Sequence, residues 1–429
     1  MRSNRLCNTR ISPMSGTKSA NDYDIVVAGG GMIGSTLALA LAPLGLRVAI
    51  VEPVPRESAV QPSFDDRSTA LSRSTQRTFE AMGLWEEILA AATPVTRIHV
   101  SDKGRFGFAH IDAAQQGVEA LGYVVINRVL GRVLGDAIDR TGGPRLLCPA
   151  RIVAARLGPR RAVVRISEND GVESELSCRL LVAADGAASP VREMVGIGAK
   201  RVAYGQRAVV GNLLPEKRLD GCAYERFTDH GPLALLPVAD GRAAFVWTVP
   251  EPDAERVLGL DDAAFLAELQ SAFGYRLGRF SKVGVRAAYP LALSKAARLT
   301  AQRTVLVGNA AHGLHPVAAQ GFNLGVRDVA ALADCIVDAR IGYGDAADPG
   351  DARLLERYAA WRRFDQAKLV GLTDGLVRLF GDSGSPKWML RDLGMLAFDL
   401  VPGVRGLFAR HTMGLAGRLP RLSRGVPLQ

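Results

Sequence analysis

"DYDIVVAGGGMIGSTLALALAPLGLRVAIVE" runs from Asp22 to Glu52. Ile25 to Ala28 reads as a buried strand. Gly29-x-Gly31-x-x-Gly34 follows at once. Ser35 to Leu44 is an apolar helix of mostly small residues, Gly45 ends it, and Arg47 to Val51 is the next strand. One glycine suits the tight turn, one the approach of backbone to a pyrophosphate, one close helix–strand packing. Glu52 stands 21 residues after Gly31, at the tip of the second strand, where a carboxylate accepts from ribose hydroxyls. An acid there favours an unphosphorylated ribose, hence FAD or NAD over NADP. Ile25–Val51 is long enough to cross a bilayer. Its five glycines and Arg47 fit a buried strand–helix–strand unit better.

Four further stretches stand out, three of them with the look of a strand ending in a bare turn. Arg67 lies in a polar loop before an amphipathic helix. Tyr123–Leu134, YVVINRVLGRVL, is a strand running into a helix with Arg128 at the crossing. Arg179–Ile197 is an apolar strand ending in Asp185-Gly186, then a Ser189-Pro190 helix start and Arg192. The strand Arg303–Val307 leads into GNAAHGLHPVAAQGFNLGVRD, residues 308–328, with helical spacing from Asn323 to Val337. In a parallel sheet these ends converge at the carboxyl edge, where ligands bind.

The 429 residues allow two or three packed units, with 48% apolar and 22% charged residues. Five scattered cysteines argue against a disulfide framework or zinc site. Net charge is +10, but arginines are dispersed and aromatics make up 6%, so no nucleic-acid partner is expected. Residues 1–21 are basic and acid-free; a disordered tail is expected, with a transit peptide as the alternative.

These motifs together resemble the class A FAD-dependent aromatic hydroxylases of the para-hydroxybenzoate hydroxylase fold. The chain is most similar to the ubiquinone-biosynthesis hydroxylases, nearest the 2-polyprenyl-6-methoxyphenol hydroxylase branch. The resemblance covers about residues 22–420. It implies an α/β architecture in which a Rossmann-type FAD domain (22–95, 123–200, 286–375) interleaves with a mixed-sheet substrate domain (96–122, 201–285). A C-terminal helical segment (376–429) follows. It implies that Gly29, Gly31, Gly34 and Glu52 hold the ADP half of FAD. Arg67 and Arg128 approach the cofactor. Asp185 and Gly186 lie near pyrophosphate and serve NAD(P)H use, and Gly308 and Asn309 contact the ribityl chain. Pro316 and the run Gln320, Gly321, Phe322, Asn323 face the flavin ring. Asn309 departs from the family's usual Asp, but its side chain can still accept from a ribityl hydroxyl.

The implied reaction is flavin reduction by NAD(P)H, addition of O2, and delivery of oxygen from the flavin hydroperoxide to a polyprenylated phenol. The cofactor carries the hard chemistry. His315 and Gln320 are the candidate catalytic side chains; His312 is a weaker proton acceptor. Residues 231–250 alternate and turn at Asp240-Gly241, a hairpin signal, and Asp261–Phe273 reads as a helix. Pro386–Gln429 is basic and amphipathic over Met389–Leu400 and Val404–Leu415. It suits either a membrane surface or a docked helical cap. A cytoplasmic protein is expected, peripheral to the inner membrane and in contact with a quinone-biosynthesis complex. A flavin-dependent isoprenoid reductase or dehydrogenase of the same fold, or a non-catalytic flavoprotein subunit, are the alternatives.

Overall fold

A computed structural model describes residues 21–58, 67–104, 108–169, 171–313, 320–381 and 404–428. The expected tail, His315, Pro316 and the helix Met389–Leu400 lie outside them.

The opening unit forms as its pattern dictates. Strand β1 (Asp22–Ala28) is buried from Tyr23 onward. Helix α1 (Met32–Leu41) buries every residue from Gly34 to Leu41. Pro43 lacks an N–H for the next helical bond, so Ala42–Leu44 tightens into a 3-10 turn that Gly45 ends at φ +64. Strand β2 (Val48–Val51) then pairs in parallel with β1. These strands sit in an eight-stranded sheet. Its main path runs Thr300–Ala301, Thr304–Leu306, Glu173–Ala183, β1, β2, Arg145–Leu147. The expected strand Arg303–Val307 is shorter because Arg303 adopts φ +55 and donates to the Pro159 carbonyl.

A nine-stranded sheet forms the second layer system. Gly231–Pro237 and Ala243–Pro250 make the expected hairpin, with Asp240 at φ +62 and Gly241 at φ +71. One face of this sheet, through Leu233, Leu235, Phe245 and Trp247, packs on Phe265 and Leu269 of the helix Asp262–Phe273. Asp261 caps that helix by accepting from the Ala264 N–H at 2.8 Å. The strand Ala287–Ala296 also belongs to this sheet, paired with Ala199–Pro215. The expected boundary at 285 therefore falls inside the sheet, because antiparallel pairing carries the chain back along its partner.

A three-stranded sheet links the two: strand β3 (Ser68–Ser72), Gly122–Ile126 and Thr93–Val95. Helix α2 (Arg73–Ala81) follows β3. The long helix expected from Asn323 begins at Gln320 and runs to Tyr343; a second spans Ala352–Gly381. Among the described residues no helix is long and apolar enough to cross a membrane. The helix Val404–Thr412 docks on the protein: Ala409 and Met413 pack with Ile111, Ala113 and Leu121.

Candidate active site

Four parallel strands end side by side. Val51 pairs with Ala28, Ala28 with Ala183, and Ala183 with Leu306. Strands lie ~4.8 Å apart, so the four ends span roughly 14 Å. Glu52, Gly29, Asp185, Gly308 and Asn309 follow immediately past that row. Strand β1 sends the chain through α1 to β2 on one side, while Glu173–Ala183 lies on its other side. Such a switch point opens a crevice at the carboxyl ends.

The crevice is shaped by missing side chains. Gly29 holds φ +97, and a Cβ there would sit 2.6 Å from the Ala184 carbonyl oxygen. A Cβ on Gly34 would sit 1.9 Å from the Gly29 oxygen. Gly31 is the N-cap of α1, with no capping side chain and no acid in the first turn. A helix start of this kind favours an anion through its dipole. Glu52 is 9% exposed; its Oε2 accepts from the Gly30 N–H at 2.6 Å and Oε1 from the Val54 N–H at 2.9 Å. A carboxylate oxygen accepts more than one hydrogen bond, so the same group suits a ribose hydroxyl. These residues fit the ADP half of FAD.

Arg67 and Arg128 come together from separate elements. Asn127 donates its N–H to the Arg67 carbonyl at 2.8 Å, and its Oδ1 accepts from Thr69 Oγ1 at 2.6 Å. Arg128 is exposed in the first turn of the uncapped helix Asn127–Thr141. A helix N-terminus with a cation beside it favours an anionic group nearby. The Arg67 guanidinium stacks 4.5 Å from the ring centre of Tyr289, in the nine-stranded sheet.

Asp185 turns inward. It accepts from Ser189 Oγ and, at 3.0 Å, from the Val191 N–H. Burial pushes its pKa up against those hydrogen bonds. Gly186, at φ +88, faces open space. Arg192 ties this turn to the next: its guanidinium donates to the carbonyls of Ala187 at 3.0 Å and Ala310 at 3.1 Å. In that next turn Gly308 is buried at φ +59, and Asn309 is exposed.

Behind Gly308 lies a charged cluster. Asp328 Oδ2 accepts from the Gly308 N–H at 3.0 Å and meets His312 Nε2 at 2.6 Å. Its Oδ1 accepts from Arg362 Nε at 2.7 Å. Burial raises the Asp328 carboxyl, but His312 and Arg362 outweigh it and hold the pKa at about 2. His312, 1% exposed, is thereby a buried brace for this turn.

The start of the long helix is committed in part. Asn323 Oδ1 accepts from the Ser72 N–H at 2.8 Å and Thr75 Oγ1 at 2.7 Å; Nδ2 donates to the Ala70 carbonyl at 2.9 Å. Its side chain thus fastens the helix to β3 and α2. Gln320 donates to the Thr412 carbonyl at 3.2 Å. Gly321 has open space where a side chain would be, and Phe322 packs on the main core. Sequence reading missed Asp328 and Arg362. The signal for the first was an acid inside the apolar run Leu324–Val337.

The family described as FAD binding domain matches residues 22–370. The ubiquinone hydroxylase UbiL of Rhodospirillum rubrum is 40% identical, over 94% of this chain and 93% of that protein. The 3-demethoxyubiquinol 3-hydroxylase of Escherichia coli is 31% identical, over 91% of this chain and 98% of that protein. Among solved structures, the p-nitrophenol 4-monooxygenase PnpA of Pseudomonas putida matches with a TM-score of 0.75 at 21% identity, covering 93% of this chain and 99% of that one. That likeness speaks for the fold. With the aligned strand ends and their glycine cradle, these matches place the chain in the family of FAD-dependent ubiquinone-biosynthesis hydroxylases.

Proposed function

We propose that this protein hydroxylates the aromatic ring of a polyprenylated phenol on the way to ubiquinone, with NAD(P)H as reductant and O2 as oxygen source. The observation that carries this reading is the row of four aligned strand ends opening onto the bare start of α1. When bound, FAD supplies the two-electron and oxygen chemistry.

The chain supplies position and charge. Gly29 and Gly34, by lacking side chains, would let the start of α1 at Gly31 come close to the pyrophosphate, and Glu52 would accept from the ribose. Arg67 and Arg128 add cations to the same edge. Asp185, through its short helix, sets the Gly186 turn beside the pyrophosphate and serves NAD(P)H use. Gly308 and Asn309 meet the ribityl chain, and the Asp328 cluster fixes their turn. At the start of the long helix Gly321 and Phe322 would adjoin the flavin ring, where a helix N-terminus would favour negative charge by ~0.3–1 kcal/mol. Asn323 would aim that start through β3 and Gln320 through Thr412; Pro316, ahead of it, lies outside the described residues. His315, which lies outside the described residues, is the sequence's candidate for a proton-transfer role. A lipid-borne substrate also favours contact with the membrane surface and with a quinone-biosynthesis complex, to which exposed Arg410 and Arg424 would contribute.

Mass spectrometry of isoprenoid quinones from a strain lacking the gene tests this. A prenylated phenol one oxygen short of the next intermediate should accumulate. A normal quinone profile, with no such phenol, overturns the reading.

A further inference from the structure

Glu225 lies on the strand Cys222–Thr228 of the nine-stranded sheet. Glu225 stands opposite Ala234, Ala234 opposite Val246, Val246 opposite Val210, and Val210 opposite Ala287. Directly opposed residues share a face of a sheet, as do residues two apart on one strand. Glu225 therefore shares its face with Tyr289, the ring under Arg67. Ala223, two residues before Glu225, packs on the same side against Val95 and Val124 of the three-stranded sheet. The opposite face is filled by the helix Asp262–Phe273. So Glu225 looks toward the half of the molecule that carries the aligned strand ends.

Its neighbours across the strands are Ala234 and Val100. Glu225 is partly buried, and no hydrogen bond or ion pair to it is found among the described residues. Burial alone pushes its carboxyl up to about 7, with no charged group contributing. A polar group on an apolar face without a partner is costly unless a ligand completes it.

We propose that Glu225 is a catalytic residue that accepts the hydroxyl proton of the ring substrate, a phenol bound between this sheet face and the aligned strand ends. The proposal rests on the hydroxylase reading above. In the step, the phenol O–H bond breaks and an O–H bond forms on the Glu225 carboxylate. The electron pair stays on the phenol oxygen and is shared into the ring, which makes the ortho and para carbons more nucleophilic. No electron leaves the ring in this transfer. One oxygen atom of O2 enters the ring and the other leaves as water, with the pyridine nucleotide giving up the two electrons and solvent a proton, and the ring C–H proton passes to solvent. Glu225 returns its proton to the ring oxygen and ends as it began.

The test uses the full-length FAD-loaded protein with 2-geranylphenol and its methyl ether, 2-geranylanisole, as probes. Wild type should bind the phenol roughly tenfold more tightly than the ether, the effect of one hydrogen bond to a carboxylate. Glu225→Leu should abolish that preference. It removes a carboxyl without a partner, so its thermal midpoint and FAD content should hold. Glu225→Gln keeps an acceptor but cannot take the proton. It should retain most of the binding while kcat for hydroxylation falls at least roughly a hundredfold. A wild type without preference, a Glu225→Leu protein that keeps it, or a Glu225→Gln protein with wild-type kcat would each overturn the proposal. Labelled O2 separates the two readings. A wild type that prefers the phenol yet yields no labelled product retires the hydroxylase assignment and leaves the contact. Full hydroxylation by the Glu225 variants retires the contact and leaves the assignment.

Discussion

At Asp328 one carboxylate holds a backbone amide, an imidazole and a guanidinium. Asp328→Asn leaves Arg362 buried with less compensation, so it should cost about 3 kcal/mol in a urea titration. An unchanged midpoint would remove the cluster from the account of how the Gly308 turn is held. The same group sets a pH dependence. Its folded pKa of about 2 lies below the ordinary carboxylate value of ~3.9. The folded state therefore binds fewer protons in that window. Its contribution, on the order of 2 kcal/mol, is whole above about pH 4 and is lost as pH falls through 2. Urea midpoints of wild type should drop between pH 5 and pH 2.5 by more than those of Asp328→Asn. Gly34→Ala is the steric counterpart: a Cβ 1.9 Å from the Gly29 oxygen must push α1 off the strand. The variant should lose bound FAD and roughly 1–3 kcal/mol, read by flavin absorbance and thermal melting. The glycines were legible in the sequence because their reason is local. Asp328 was not, because its partners lie 20 residues back and 34 residues ahead.

The start of the long helix shows what a motif can and cannot reveal at the scale of an element. Its small residues correctly marked a strand-to-helix crossing after Leu306. They did not reveal that Asn323 spends its side chain on Ser72, Thr75 and Ala70, some 250 residues earlier. The hairpin at Asp240-Gly241 was legible for the opposite reason: left-handed backbone there is a demand of two adjacent residues. Asn323→Ala removes three hydrogen bonds between the helix and β3–α2. It should lower stability by about 2–3 kcal/mol and weaken FAD retention, since the helix start is no longer aimed. Differential scanning calorimetry with and without added FAD separates the two effects. A variant that loses flavin but melts as wild type does would mean that Asn323 acts on the ring directly.

Across the whole molecule, residues 404–428 work as a strap. Ala409 and Met413 cover Ile111, Ala113 and Leu121 beside the nine-stranded sheet. Met413 accepts from the Ser74 N–H of α2 at 3.0 Å. Trp361 donates to the Arg418 carbonyl at 3.2 Å, and Arg418 stacks back on that ring at 4.3 Å. Arg421 pairs with Asp334 at 3.3 Å and Asp338 at 2.6 Å on the long helix, and Leu422 enters the main core. In the sequence this segment read equally as a membrane-lying helix or a docked cap, because basic residues among Leu, Met and Phe serve both. Acids on another helix hold these residues against the protein, a pairing no local pattern could announce. A chain ending after residue 403 should therefore expose Ile111, Ala113 and Leu121, each buried large apolar side chain being worth about 2 kcal/mol. It should bind an apolar dye and melt well below wild type. Arg421→Ala, which loosens a partly exposed pair, should cost only about 1 kcal/mol. If the shortened chain melted as wild type does, stayed dye-free and lost only its affinity for anionic vesicles, the segment would be a membrane contact and not a strap.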